Sequence, residues 1–145
     1  MSFKFSKRSL RRLNGVHPKI VELFTYAIEH KDCPFDFGIP RDGGLRTLER
    51  QKELYSYGRY EPNKNRKKIT WTLNSNHRER SDGYGYAVDI FAYVDGKPSW
   101  NMLHLKPIAD HLKKCAIEKN IPLEWGYDLW GKDAAHFQVG KGVIL

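Results

Sequence analysis

The sequence is short of cysteine. Its only two, Cys33 and Cys115, stand far apart and no Cys-x-x-Cys occurs, so a thiolate zinc site has nothing to draw on. A reducing cytoplasm leaves such thiols unpaired, and both are expected to be free and partly buried. Long apolar runs are also missing, which excludes a membrane-spanning helix. The opening residues, Met1 to Arg8, are basic but lack the apolar stretch of a secretory signal. The chain is therefore expected to be made in the cytoplasm and to stay there until something releases it. With no internal repeat, low-complexity tract or linker, residues 1–145 are expected to form a single domain.

What is present is bulk and positive charge. Apolar residues make up 40%, with four Trp, eight Tyr and seven Phe to fill a core. Twenty-five Lys and Arg against 17 Asp and Glu leave a net charge of +8. Such a surface attracts polyanions, and nucleic acid, anionic lipid and acidic wall polymer all qualify by charge alone.

Helical periodicity and capping residues predict a short basic helix from Lys7 to Leu13 behind Ser6. A second helix opens at His17-Pro18 with Ile20, Val21, Phe24, Ala27 and Ile28 on one face. Thr47 caps a helix from Leu48 to about Tyr57, stopped by Gly58. A long helix is predicted over Asn101 to Lys119, kinked or restarted at Pro107. Strands are predicted at Phe35–Ile39, Ile69–Thr72, Val88–Tyr93, Ile121–Trp125 and His136–Val139, with a hairpin turn at Asp95-Gly96. Short strands and segregated helices without a βαβ rhythm indicate the α+β class.

Three side chains from separate stretches draw attention as metal ligands. His77 lies in a polar loop. Asp89 interrupts an apolar strand, where a carboxylate is costly unless a cation or donors meet it; a salt bridge to an arginine would serve as well as a metal. His136 opens the last strand. Two imidazoles and a carboxylate are the donor set of a catalytic zinc site with one position left for water. Asp133, three residues before His136, suits the acid–base partner that metal-assisted hydrolysis requires, although aspartate is equally at home in turns. Arg46, at a loop-to-helix junction, can stabilise an oxyanion if it faces a cleft. His17, His30, His104 and His111 have no such context and are expected to be structural or exposed.

These residues fall into an ordered set of motifs: Gly44-Leu45-Arg46-Thr47 with Gln51, Leu54, Tyr55 and Gly58-Arg59; Ser75-x-His77; Gly85-x-Ala87-x-Asp89; Glu124-Trp125-Gly126; and Asp133-x-x-His136. The set resembles the zinc D-alanyl-D-alanine carboxypeptidase and L-alanyl-D-glutamate endopeptidase family, above all its phage endolysin branch, from about Phe5 to Val139. The resemblance implies a small antiparallel sheet flanked by helices, as in the Hedgehog signalling domain. It implies one zinc ion on His77, Asp89 and His136, with Asp133 as base and acid and Arg46 polarising the scissile carbonyl. Ser75, Gln51, Glu124 and Trp125 become candidate substrate contacts, Glu124 being equally a candidate for support behind the ligands. The implied partner is peptidoglycan, cut between L-alanine and D-glutamate; a monomer that neither binds nucleic acid nor inserts stably in membranes is the default expectation. It would wait in the host cytoplasm and reach the wall at lysis.

Two departures stand out. The family usually places six residues between its first histidine and its aspartate, whereas eleven separate His77 from Asp89. Counting without a gap selects Asp82; keeping Ser75-x-His77 selects His77 and makes Arg78 to Asp82 an insertion. The usual Trp-Gly-Gly-x-Trp is replaced by Trp125-Gly126-Tyr127-Asp128-Leu129-Trp130, which predicts a differently shaped groove. Lys64, Arg66, Lys67, Lys68, Lys113 and Lys114 are candidates for attachment to the anionic wall. A D-alanyl-D-alanine carboxypeptidase and a metal-free basic binding module are the competing expectations.

Overall fold

The computed structural model describes residues 2–145. Helix α1 (Lys7–Arg12) starts where the Ser6 hydroxyl accepts from the Ser9 amide. Helix α2 (Pro18–Glu29) has proline in its first turn, where a missing amide costs nothing. Its stripe of Ile20, Leu23, Phe24, Ala27 and Ile28 is buried. Strand β1 (Asp36–Gly38) follows, then α3 (Leu48–Ser56), capped by the Thr47 hydroxyl on the Arg50 amide.

The strand expected over Val88–Tyr93 is two strands in different sheets. Strand β2 (Ala87–Asp89) pairs antiparallel with β6 (His136–Val139), which also pairs with β5 (Leu123–Trp125). Strand β3 (Phe91–Val94) pairs with β1 and, through the Asp95-Gly96 turn, with β4 (Lys97–Ser99). The exchange happens at Ile90. The Asp89 amide donates to Gly43 O at 2.8 Å and the Ile90 amide to Ala135 O at 2.9 Å, so loop carbonyls hold the bend. The result is α+β with two three-stranded antiparallel sheets, orders β1-β3-β4 and β2-β6-β5, flanked by helices.

Helix α4 (Met102–Glu118) runs through Pro107 as one element, so the helix does not restart there. Proline removes the donor that would serve the carbonyl of Leu103, and Leu103 is 76% exposed, where water can replace it. The α4 face of Leu105, Ile108, Ala109, Leu112, Cys115 and Ala116 packs with α2 and the inner sheet residues Val88, Ala92, Phe137 and Val139 into one core. A short helix α5 (Gly126–Trp130) links β5 to the approach to β6.

Residues 69–72 are not a strand. Their polar groups are held by side chains from the α3 region: Gln51 donates to Thr70 Oγ1 and Thr72 O, and Arg59 donates to Thr70 O. With no strand to pair with, β-propensity decides nothing here. Both cysteines are free and buried, and burial pushes the Cys33 thiol up to about 12. No helix among the described residues is long and apolar enough to cross a membrane.

Candidate metal centre

Asp89 ends β2 and His136 begins β6, and the two are direct cross-strand partners. Opposed residues share a sheet face, which brings His136 Nδ1 to 3.0 Å from Asp89 Oδ1. His77 arrives from the loop after the irregular 69–72 segment. Its carbonyl accepts from the Arg46 amide at 2.8 Å, which pins the loop beside the start of α3. Contrary to its expected place in an open polar loop, His77 is 2% exposed. The Asp82 alternative is absent from the cluster, because that carboxylate accepts from the Tyr86 hydroxyl and the Tyr84 amide.

The tautomers follow from the outer partners. His77 Nδ1 donates to Gly44 O at 2.9 Å, leaving the Nε2 lone pair facing Asp89 Oδ1 at 3.3 Å without a hydrogen bond. Gly44 must be glycine: a Cβ there would collide with the carbonyl oxygen of Arg12. On the other ring, Glu124 Oε1 accepts from Gln138 Nε2 at 3.2 Å, so Gln138 Oε1 accepts from His136 Nε2 at 2.9 Å. In the neutral ring this leaves the Nδ1 lone pair pointing into the cluster; in the protonated ring Nδ1 donates to Asp89 Oδ1, and that proton leaves when a metal binds. Metal-binding imidazoles are oriented in this way by an acceptor on the second nitrogen.

The donors fit a small divalent cation. One atom each from His77, Asp89 and His136 lies within 4.8 Å of the others. The edges of 3.3 Å and 3.0 Å compare with about 3.3 Å for a tetrahedron of the usual zinc bond lengths. His77 Nε2 is a buried polar atom with no partner, a cost of about 1–3 kcal/mol that a cation would remove.

Electrostatics agree. Burial pushes the Asp89 carboxyl up, but the charges and hydrogen bonds of His77 and His136 outweigh it and hold the group well below the usual carboxylate range. Burial lowers the His77 ring and favours its neutral, ligating form. Burial acts the same way on His136, but the bond to Asp89 and that carboxylate's charge win and raise it. Asp133 stands at the rim with its side chain exposed and its backbone left-handed at φ 66°. Neighbouring protein mass, then the Asp89 charge, push its carboxyl up.

Arg46 is 14% exposed in its side chain and donates to Asp42 O, Gln51 Oε1 and Asp89 Oδ2. Three of its five N–H groups are thus occupied and two remain. A cleft of about 640 Å³ contains Arg46, Ser75, His77, Asp89, Asp133, His136 and Gln138, with Trp71, Trp130, Lys132 and Lys141 at its walls.

Of the four candidate substrate contacts, only Ser75 lines this cleft. Gln51 is fully buried and grips Arg46 and the 69–72 segment. Trp125 is buried, with Nε1 on Ala134 O, and Glu124 sits behind Gln138. Gln51 and Trp125 are corrected from contact to support, because their side chains point into protein, whereas Glu124 stands where its alternative expected role, support behind the ligands, places it. Gln138 and Asp42 were missed. Gln138 was findable, since strand alternation puts it on the face of His136; Asp42 acts on Arg46 through its carbonyl, which side-chain patterns do not reveal. The segment Arg78 to Asp82, expected as an insertion, contains Arg80. Its guanidinium donates to Val139 O and Gly140 O and lies 3.6 Å over the Tyr86 ring, tying the loop of His77 to the end of β6.

Known proteins share this arrangement of chain. The L-alanyl-D-glutamate peptidase of Escherichia phage T5 is 28% identical over 146 residues, covering 98% of this chain and 93% of that protein. The crystal structure of the Serratia marcescens L-Ala D-Glu endopeptidase ChiX matches with a TM-score of 0.73 and 31% identity, over 96% of this chain and 91% of that one. The model of the phage L-alanyl-D-glutamate peptidase family matches residues 1–143, and the chain belongs to that family.

Proposed function

We propose that this peptidase hydrolyses the L-alanyl–D-glutamate bond of peptidoglycan stem peptides with one zinc ion held by His77, Asp89 and His136. The observation that carries the metal is the buried, unpartnered His77 Nε2 facing Asp89 and His136. When bound, zinc supplies the Lewis acid that makes water nucleophilic near neutral pH.

The chain's own groups do the rest. Asp133 takes the proton of the attacking water and passes it to the departing amine of D-glutamate. Its raised carboxyl brings it closer to the working pH. Arg46 presents its two unused N–H groups to the carbonyl oxygen as charge develops there. Gln51 and Asp42 hold that guanidinium still, and Gln138, backed by Glu124, holds the ring of His136. Ser75 and the exposed indoles of Trp71 and Trp130 offer the peptide a wall.

The whole chain acts as one catalytic unit, a reading supported by the single core that both sheets and α2 and α4 share. It works as a monomer on peptidoglycan, without nucleic acid or stable membrane insertion, and waits in the host cytoplasm until lysis. Lys64, Arg66, Lys67, Lys68 and Lys114 are exposed for attachment to the anionic wall, whereas Lys113 is engaged by Asp128 at 2.5 Å.

Mass spectrometry of digested peptidoglycan tests the reaction. New D-glutamate amino termini are expected; free D-alanine in their place would establish the carboxypeptidase. His136→Ala and Asp89→Ala lose the metal, and Asp133→Ala keeps it while hydrolysis is lost. Full activity in Asp133→Ala removes the acid–base assignment.

A further inference from the structure

We propose that Lys132 forms a carboxylate subsite that reads the free α-carboxylate of the D-glutamate on the leaving side of the cut bond. The inference rests on the reaction proposed above.

The cleft contains three full-time cations, Arg46, Lys132 and Lys141. Arg46 pairs with Asp89, and Lys141 Nζ donates to Asn74 O at 2.6 Å. Lys132 has neither an acidic nor a carbonyl partner among the described residues; the contact found for its ammonium is the Trp71 ring, 5.7 Å away. What sets Lys132 apart from the other unpaired lysines is its place in the cleft wall beside Asp133. The anion that Lys132 lacks is one that the substrate carries.

Connectivity selects Lys132 over Lys141. In hydrolysis, the water oxygen bonds to the alanyl carbonyl carbon, the C–N bond breaks, and Asp133 carries the water's proton to that nitrogen. The same nitrogen is attached to the Cα of D-glutamate. The wall peptide continues through the γ-carboxyl, so Cα carries a free α-carboxylate, whose carbon is about 2.5 Å from the nitrogen. Lys132 is the chain neighbour of Asp133, about 3.8 Å away at Cα, and its flexible stem carries the ammonium over that distance. Lys141 lies beyond the opposite end of β6, separated from Asp133 by the length of the strand.

The test compares two synthetic stem peptides, one with the D-glutamate α-carboxylate free and one with it as the α-carboxamide. For the wild-type enzyme, kcat/KM is expected to favour the carboxylate by about tenfold, the scale of a charge-assisted contact discounted for exposure. Lys132→Gln brings the ratio near one by slowing only the carboxylate peptide, and Lys132→Arg restores the preference. Lys106→Ala removes the same charge from α4, away from the cleft, and leaves the ratio as in wild type. An unchanged preference in Lys132→Gln, or equal wild-type rates on the two peptides, overturns the subsite while leaving the reaction standing. Failure of the wild-type enzyme to cut either peptide at the alanyl bond overturns the reaction itself, and the subsite with it.

Discussion

Replacing Gln138 with leucine keeps the volume and removes the acceptor on which the His136 ring depends. In the wild type, His136 Nε2 donates to Gln138 Oε1 at 2.9 Å and Nδ1 faces Asp89 Oδ1 at 3.0 Å. The ring is 7% exposed, so water does not replace the lost acceptor. Two outcomes remain for the ring. It can keep its tautomer with a buried N–H unsatisfied, at about 1–3 kcal/mol. Otherwise it can move the proton to Nδ1, where it bonds to Asp89 and must be expelled before a metal binds. Either route weakens zinc binding by about tenfold to a hundredfold, the usual scale for a group behind a ligand. Chelator competition at pH 7.5 measures this directly, independent of turnover. Gln138→Glu alone sets a carboxylate against Glu124; adding Glu124→Gln supplies an amide that donates to the new carboxylate, the reverse of the wild-type bond, while His136 Nε2 keeps its acceptor, and should recover the affinity. A zinc affinity within about twofold of wild type in Gln138→Leu refutes the tautomer argument.

Three further outcomes are expected. The raised His136 gives the metal-free protein stability that is complete below the ordinary histidine value of 6.5 and is lost as pH rises through the folded value. Metal affinity runs the other way, because the same proton must leave; the melting temperature of metal-free protein and the zinc affinity should therefore move in opposite directions between pH 6 and 8 in buffers of about those values. The Arg50 guanidinium bonds both oxygens of Asp42 and holds that carboxyl below its ordinary value of 3.8. Asp42→Asn, which tolerates the same left-handed backbone, should cost about 1 kcal/mol at pH 7 in denaturant unfolding. The wild-type advantage is intact above pH 3.8 and disappears as pH falls through the lowered folded value. Gly126→Ala puts a Cβ 2.5 Å from the carbonyl oxygen of Asp133 and 3.1 Å from the His136 Cβ; a cost of about 1–3 kcal/mol should accompany a fall in hydrolysis, and wild-type stability in that variant would show that the Asp133 turn is free to move.

The identity of the chemical groups was legible along the chain. Asp89 in an apolar strand could be read as a carboxylate that needs a cation, and Asp133-x-x-His136 carried the expectation, proposed above, of a ligand beside a base. Helix starts were legible as well, since Ser6 and Thr47 cap through bonds to amides three residues away. These features are local: a cap, a period or a short spacing involves only neighbours.

What only the tertiary structure decided was who faces whom. Whether His77 or Asp82 joins the cluster depends on the Gly44 carbonyl and the Arg46 amide, more than thirty residues away. Whether residues 69–72 form a strand depends on a partner strand that the fold does not supply. The bend at Ile90 depends on the carbonyls of Gly43 and Ala135. Gln51 and Trp125 look like substrate contacts in a motif, yet they face inward because α3 and β5 turn those sides to the core. Backbone carbonyls carry no side-chain signature, so their bonding appears only once distant segments have been folded against one another.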